Sequence, residues 1–156
     1  MKYVYSYEFP VGRYYIAEAD GAITDISTYT VEGAQTKETP LISKAAEQIR
    51  EYFNGRRKAF DLPLNAVGTG FRKRVWDAML EIPYGETKTY KDMAELAGNV
   101  KACRAAGGAC GANPISIVIP CHRVIGSDDS LTGYGGGLHI KTALLELEQR
   151  YRRDVY

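Results

Sequence analysis

The sequence is poor in the residues that build metal sites and disulfide frameworks. It holds three cysteines and two histidines, and none of them comes before Cys103. An odd number of cysteines excludes a complete disulfide framework, so free thiols in a reducing compartment are expected. No CxxC or paired-histidine spacing occurs, and no metal site is predicted.

Long apolar runs and an excess of one charge are also missing. The longest apolar run, 115–120, is interrupted by Ser116, and it is far shorter than the roughly 20 residues of a membrane span. The start of the chain lacks the apolar block of a secretion signal, so a cytoplasmic protein, nucleoid-associated in a prokaryote, is expected. The net charge is only +1, which argues against the strong basic stripe of many duplex binders and implies a small footprint on any nucleic acid.

Residues 1–66 predict a small α+β domain. Tyrosine-rich alternating segments, separated by turn signals such as Asp20-Gly21, favour a small antiparallel sheet. The predicted strands are 2–9, 13–18 and 22–28, with a further short strand at 59–64, and the segment 31–38 is read as a loop.

A single helix is predicted to cover this sheet. Thr39 can serve as its N-cap, and Pro40 suits the first helical position. Apolar residues then recur at helical spacing as far as Phe53, and Gly55 ends the helix. This domain shows no obvious chemistry, and its tyrosines are interpreted as packing residues.

Residues 67–156 predict a mainly helical second domain, with helices at 71–80 and 138–151. Between these, Thr89 followed three residues later by Asp92 is a capping-box pattern for a short helix that ends at Gly98. Asn99 can cap a second helix at about 100–111. Two short helices joined by a glycine-containing turn form a helix-turn-helix, a pattern that also occurs in ordinary helical cores.

The second of these helices is rich in alanine and glycine, and Arg104 is almost its only long side chain. Glycine inside a helix costs up to about 1 kcal/mol relative to alanine. Two explanations stay open: close packing against another element of the chain, or close approach to a nucleic-acid groove.

The most informative segment is 120–125, which reads Pro-Cys-His-Arg-Val-Ile. It follows the apolar run 115–119, which is predicted to be a buried strand, and it precedes the glycine-rich segment 133–137. A cysteine beside a histidine suits a nucleophilic thiolate, because a nearby imidazole or cation favours the thiolate over the thiol. The alternative is that Cys121 is only a small core residue.

The segment from Pro120 to Val124 resembles the active-site signature of the O6-alkylguanine-DNA alkyltransferases. Further segments typical of that family follow in the family's order, and the resemblance covers about 68–148. These segments are Ile82-Pro83-Tyr84-Gly85-Glu86-Thr87, Thr89-Tyr90, Arg104-Ala105-Ala106-Gly107-Gly108, Asn113-Pro114, Gly133-Tyr134-Gly135-Gly136-Gly137-Leu138 and Leu144-Leu145. The resemblance implies a ribonuclease H-like first domain. It also implies a winged helix-turn-helix-like second domain that binds the DNA minor groove and flips the damaged nucleotide into the active site.

The resemblance also implies catalytic roles for five residues. Cys121 would accept the alkyl group, His122 would take the thiol proton through a bound water, and Glu148 would orient and polarise His122. Asn113 would support the turn around the site. Tyr90 would hydrogen-bond the flipped guanine and help it to leave.

Contacts to DNA and substrate are implied in the same way. Arg104 would fill the gap in the base stack, and the Val124 carbonyl and the Gly135 N–H would read the base edge. Tyr134 and Ala102 complete the expected contact set. The implied partner of this chain, as a monomer, is double-stranded DNA carrying O6-alkylguanine. No cofactor, small-molecule methyl donor, membrane or zinc ion is expected.

The implied function is an irreversible, single-turnover transfer that repairs O6-methylguanine, and repair of O4-methylthymine stays open. One alternative is a lesion-binding protein that transfers nothing, but such proteins replace the acceptor that is present here as Cys121. A Cys-His hydrolase is a second alternative, although the sequence lacks the local signatures of cysteine proteases. A third is a transcriptional helix-turn-helix module, which would be expected to carry polar base-reading residues on its second helix.

Overall fold

The computed structural model describes residues 1–126 and 137–152. Within these ranges the chain forms two compact units, and the α+β prediction is confirmed. The first unit comprises 1–67 together with 114–116, and the rest of the described chain forms the second. No helix of the described ranges is long and apolar enough to cross a membrane.

The first unit is a four-stranded sheet with one helix. Its strands are β1 (Lys2–Phe9), β2 (Gly12–Ala19), β3 (Ala22–Ser27) and β4 (Gln35–Thr36), and its helix is α1 (Pro40–Phe53). The spatial order is β3-β2-β1-β4. The three predicted hairpin strands are confirmed as antiparallel neighbours. The two-residue β4 pairs in parallel with β1 inside the predicted loop, and it is too short to leave an alternating pattern.

The strand predicted at 59–64 is wrong. Only Leu64 makes a single bridge there, to Ile23. The Ile23 N–H donates to the Pro63 carbonyl at 2.8 Å, but Pro63 has no N–H to return, so a ladder cannot continue through it.

Helix α1 begins and ends as its sequence predicts. The Thr39 hydroxyl accepts a hydrogen bond from the Ile42 N–H at 3.2 Å, and Pro40 occupies the first turn. Gly55, just beyond the helix, has a φ of +72°, which glycine adopts without strain. The apolar face of α1 is fully buried in this unit and consists of Ile42, Ala45, Ala46, Ile49 and Tyr52.

The second unit is mainly helical. Its elements are α2 (Gly70–Leu80), β5 (Lys88–Thr89), α3 (Tyr90–Leu96), α4 (Cys103–Gly111), β6 (Val124–Ile125) and α5 (Leu138–Tyr151). Helices α2, α3 and α4 pack against one another. Strands β5 and β6 pair in parallel, and this pairing ties the start of α3 to the segment that follows Cys121.

The helix-turn-helix consists of α3 and α4. The capping box of α3 is confirmed, because Thr89 and Asp92 each hydrogen-bond the backbone N–H of the other. The predicted start of α4 is wrong by three residues. The Asn99 side chain accepts from the Lys101 N–H at 3.1 Å and so stabilises a turn. Helix α4 then begins at Cys103 without a side-chain cap.

The apolar run 115–119 is buried, as predicted, but it is not a strand. Ile115 makes one isolated bridge, to Ile26, and the chain then turns. Ile117 has a φ of +72°, a conformation that is strained for a β-branched residue. Burial and hydrophobicity are the same for a buried strand and a buried turn, so the sequence pattern could not distinguish them.

Gly68 lies against the ring of Trp76, and this contact predicts that Gly68→Ala destabilises the second unit. A Cβ at Gly68 would lie 2.5 Å from Cη2 and 2.8 Å from Cζ3 of Trp76. The ring has little room to move, because it is buried and its Nε1–H donates to the Ala109 carbonyl at 2.8 Å. We expect the free energy of unfolding, measured with urea, to fall by about 1–3 kcal/mol.

Gly70→Ala is the matched control. A Cβ there would meet only the flexible guanidinium end of Arg74, at 3.6 Å, and alanine favours the helix that begins at this residue. Its free energy of unfolding should stay the same or rise slightly. Equal losses in the two variants would contradict the packing argument.

Candidate active site

Cys121 begins a single 3₁₀ turn, Cys121–Arg123, that leads into β6. The Cys121 N–H donates to the Ile119 carbonyl at 2.8 Å, and the Arg123 N–H donates to the Pro120 carbonyl at 2.9 Å. Successive side chains of a 3₁₀ turn diverge by about a third of a turn rather than pointing to opposite sides, as they do in a strand. The turn therefore supplies the bend that adjacent cysteine and histidine side chains need if they are to serve one site.

A buried carboxylate, that of Glu148 on α5, gathers the polar groups around this turn. His122 Nε2 lies 2.5 Å from Glu148 Oε2. Arg123 donates from Nε to Oε1 at 2.8 Å and from Nη2 to Oε2 at 3.1 Å, while the Gly85 N–H donates to Oε1 at 3.0 Å. Both oxygens of the carboxylate are thus occupied by donors.

These contacts fix the charge of Glu148. Burial by itself would raise the pKa of its carboxyl, but the hydrogen bonds from His122 and Arg123 and the positive charge of Arg123 outweigh burial and hold the pKa well below its usual range. The carboxylate is therefore ionised at neutral pH, with Arg123 as its permanent counter-charge.

Burial and the contact with Glu148 together set the protonation state of His122. Burial lowers the pKa of His122, and the hydrogen bond to Glu148 opposes burial without reversing the shift. The imidazole is therefore neutral near pH 7. Its Nε2 faces a carboxylate and carries the hydrogen, so the basic lone pair is on Nδ1.

The thiol of Cys121 is not a preformed thiolate. Burial raises its pKa to about 11, although a hydrogen bond from Asn113 and the charge of Lys141 act in the opposite direction. The sequence led us to expect a neighbouring cation or imidazole to favour the thiolate. A cation is present, but burial has the larger effect, so this cysteine needs a base at the moment of reaction.

The expected catalytic residues all belong to the second unit. Asn113 hydrogen-bonds the Cys121 side chain and also donates from Nδ2 to the Ile119 carbonyl at 2.9 Å, which spans the turn before the cysteine. Tyr90, the first residue of α3, is largely buried, and its hydroxyl lies 3.4 Å from Lys141 Nζ.

The residues expected to contact DNA and substrate differ in burial, and two of them lie outside the described residues. Val124 is buried in β6, directly after the 3₁₀ turn. Arg104 is exposed on the first turn of α4, and Ala102 precedes that helix. Tyr134 and Gly135 lie outside the described residues. Within 1–126 and 137–152, no group of three or more His, Cys, Asp or Glu side chains could hold a metal ion.

Sequence reasoning missed two buried cations, Arg123 and Lys141. Arg123 lies inside the signature segment, and besides Glu148 it binds the Ile82 carbonyl at 2.7 Å. Lys141 is fully buried on α5. Its spacing from Leu144 and Glu148 places all three residues on one helix face, and this pattern was the available signal.

Apart from Arg104, the exposed residues of α4 are small. A Cβ at Gly108 would meet nothing within 4 Å, and one at Gly107 would make only an ordinary contact, 3.9 Å from the Tyr90 ring. Packing within the described part of the chain therefore does not explain Gly108. Close approach of another molecule, the second explanation offered by the sequence, stays a prediction.

Two family models match the chain in succession. Residues 2–66 match the 6-O-methylguanine DNA methyltransferase ribonuclease-like domain, and 70–150 match the DNA binding domain of the same methyltransferase. The fold and the site define a class of protein in which one unit carries both a helix-turn-helix and a candidate active site of cysteine, histidine and glutamate. The chain belongs to the 6-O-methylguanine DNA methyltransferase family.

Relatives and solved structures agree with this assignment over nearly the whole chain. The constitutive methylated-DNA–protein-cysteine methyltransferase of Bacillus subtilis is 43% identical, with 96% of each chain covered. The enzyme of the same name from Mycobacterium bovis is 46% identical, covering 90% of this chain and 88% of that protein. A crystal structure of Mycobacterium tuberculosis OGT in complex with DNA superposes with a TM-score of 0.90 at 40% identity, covering 96% of this chain and 94% of that one.

Acidification is expected to destabilise the protein from about pH 6.5 downward. The native pKa values of His122 and Glu148 both lie below their ordinary values of 6.5 and 4.5. The unfolded chain therefore binds more protons than the native protein, first in the histidine range and then in the carboxyl range. The free energy of unfolding should fall as the pH is lowered, and urea unfolding at about pH 7.5, 6 and 5 measures it.

Two histidine variants locate the source of this dependence. His122→Gln should lose the part that begins near the ordinary histidine pKa. His139→Gln, which replaces an exposed histidine, should retain it. A His122→Gln protein with the wild-type pH dependence would show that the buried imidazole is not responsible.

Proposed function

We propose that this protein repairs DNA directly by transferring the alkyl group of O6-methylguanine to Cys121, irreversibly and once per molecule. This is the activity of a methylated-DNA–protein-cysteine S-methyltransferase. The observation that carries the proposal is the 3₁₀ turn that places Cys121 next to the His122–Glu148 pair, in the unit that contains the helix-turn-helix.

The proton on Cys121 must leave before the sulfur can attack. We assign His122 Nδ1 as its acceptor, through a bridging water, because Nε2 is already committed to Glu148. Glu148 stays ionised throughout and stabilises the imidazolium that forms. The positive charge then lies between Glu148 and the new thiolate.

Transfer is a displacement at a saturated carbon. The Cys121 sulfur forms a bond to the methyl carbon as the bond from that carbon to O6 breaks, and the bonding electrons pass to the guanine. The guanine takes up a proton and leaves as an ordinary base, helped by a hydrogen bond from the Tyr90 hydroxyl. The DNA supplies the methyl group, so the reaction requires no small-molecule donor and no cofactor.

The product explains why the protein acts once. A thioether on Cys121 has no activated carbonyl and a poor leaving group, so water cannot restore the thiol as it would from a thioester. This argument separates the proposal from a Cys-His hydrolase, which requires turnover.

The methyl carbon becomes accessible only when the nucleotide leaves the base stack, at a cost of a few kcal/mol. We assign α3 and α4 to the minor groove, with Arg104 filling the gap in the stack and Ala102 close to the backbone. We assign the reading of the base edge to the Val124 carbonyl and the Gly135 N–H, and we assign Tyr134 to the residues that contact the substrate. Repair of O4-methylthymine is a second activity to be assayed with the same protein.

We further assign residues 1–66 and 67–156 as the two domains, the second of which carries the chemistry. The protein acts as a monomer, because all the assigned catalytic residues lie in one unit of one chain. Its compartment is reducing, as the cytoplasm is, because the acceptor must remain a free thiol.

Intact-mass spectrometry tests the central claim. After incubation with duplex DNA carrying O6-methylguanine, each molecule should gain the mass of one CH₂ unit, located on Cys121 by peptide mapping. Excess lesion should produce no second transfer. Turnover, or methylation at another residue, would refute the proposal.

Cysteine variants supply the controls. Cys121→Ser should abolish transfer, whereas Cys103→Ser, at an exposed thiol, should leave transfer intact. A Cys121→Ser protein that still removes the methyl group would assign the chemistry elsewhere.

Gly108→Ala tests the close approach of α4 to DNA. Alanine at this open helical position should raise the free energy of unfolding by about 0.4–1 kcal/mol. If α4 enters a groove, the same methyl group should weaken binding to duplex DNA, measured by fluorescence anisotropy. A variant that is more stable and binds DNA as well as the wild type would contradict the assignment of α4.

A further inference from the structure

Arg74 is an exposed arginine of α2 that has no role in the proposed mechanism. Its Nε–H donates to the Ala97 carbonyl at 3.0 Å. Ala97 directly follows α3, and the last carbonyls of a helix have no partner within the helix itself. Arg74 therefore binds the backbone of the turn that joins α3 to α4.

The guanidinium of Arg74 lies beside this turn and retains unused donors. Its central carbon is 5.7 Å from the centre of the Phe71 ring, within the range of a cation–π contact. The bond to Ala97 uses only Nε, so both terminal amino groups remain as donors. Within 1–126 and 137–152, Arg74 has no ion pair and no second hydrogen bond. The turn is thus flanked by two amino groups that can bind an acceptor from outside the chain.

The surface next to Arg74 is positively charged. Residues 96–111 include no acidic residue, and their charged residues are Lys101 and Arg104, both of which are exposed. Through its bond to Ala97, Arg74 adds a further positive charge beside this segment. A group of cations without an interspersed carboxylate favours an anionic partner.

The form of α4 indicates which anion this is. Because its exposed residues other than Arg104 are small, a nucleic acid can approach its backbone closely. Longer side chains at the flanks of such a helix are placed to reach the phosphates that border a groove. Arginine suits this task because it can donate from Nε to Ala97 and still bind a phosphate through further N–H groups, whereas lysine has a single nitrogen for both partners.

We propose that Arg74 binds a backbone phosphate of the DNA beside the groove that α4 enters. The bond from Nε to Ala97 joins this arginine to the end of α3, so the phosphate contact also sets the position of the helix-turn-helix along the duplex. Phosphates are the same at every base, so the contact adds affinity and no preference for the lesion. The inference rests on the assignment of α4 to the minor groove in the proposed function and deepens it.

The test compares Arg74→Gln with Arg150→Gln in binding to duplex DNA, measured by fluorescence anisotropy over a range of salt concentrations. Arg150 is exposed on α5, so its variant controls for loss of a positive charge from the second unit. In Arg74→Gln, the slope of log affinity against log salt concentration should become shallower by about 1, and binding should weaken about three- to tenfold at about 0.1 M salt. Arg150→Gln should keep the wild-type slope.

The slope separates a phosphate contact from a merely structural role of Arg74. Loosening of the turn would weaken binding without changing the number of phosphates that the protein contacts, so the slope would stay as in the wild type. Arg74→Lys retains the charge and should restore the slope toward the wild-type value. A folded Arg74→Gln protein with the wild-type slope would overturn the inference, whatever its affinity.

A second measurement uses the wild-type protein and decides the question if Arg74→Gln does not fold. Phenylglyoxal modifies exposed arginines, and peptide mapping locates the products. Duplex DNA should protect Arg74 and leave Arg150 reactive. Equal modification of Arg74 with and without DNA would overturn the inference.

Failure of this inference is distinguishable from failure of the proposed function. Salt dependence and protection are both measured with undamaged duplex and involve no alkyl transfer. A wild type that binds DNA through Arg74 but accepts no methyl group would refute the proposed function alone.

Discussion

The ion pair between Glu148 and Arg123 is the contact on which the rest of the site depends. It joins α5 to the turn that carries Cys121, and Arg123 extends the connection to the Ile82 carbonyl. Gly85 is held to the same helix from both sides, by its N–H to Glu148 and by its carbonyl to Gln149. Loss of one partner of such a buried pair typically costs about 3–5 kcal/mol, because the other charge is left without compensation. The chemistry proposed for His122 therefore uses a carboxylate that also holds the fold together.

Burial acts on the three titratable groups of the site in different ways. It raises the pKa of the Cys121 thiol and lowers the pKa of His122, whereas the donors around Glu148 overcome it. The resting site thus holds a neutral thiol beside a neutral base. A thiol is far less reactive than a thiolate toward oxidants and unselective alkylating agents. This resting state suits a protein that has one sulfur to use and must keep it for a bound lesion.

Local signals in the sequence were sufficient wherever a structure depends on near neighbours. The cap at Thr39 and the capping box at Thr89 involve hydrogen bonds across three residues, so both helices begin as predicted. The predictions failed where a distant or competing contact decides. The strand predicted at 59–64 does not form, because Pro63 cannot donate to a ladder, and the Asn99 side chain stabilises a turn before α4 begins. Pro63 and Asn99 are both visible in the sequence, but their effects on the strand and on the helix depend on which backbone groups lie opposite them in the folded chain.

The sequence by itself determined the candidate site at Cys121 and His122 and the helices of the second unit, because these follow from adjacent residue types and short-range periodicity. Only the tertiary structure decided the direction of each pKa shift, because that direction depends on burial and on charged partners from segments far apart in the chain. The turn at 115–119 and the buried contacts of Arg123 and Lys141 were also decided only by the tertiary structure. A seven-residue spacing places Lys141 and Glu148 on one face of a helix. Which residues contact that face is decided only when the chain folds.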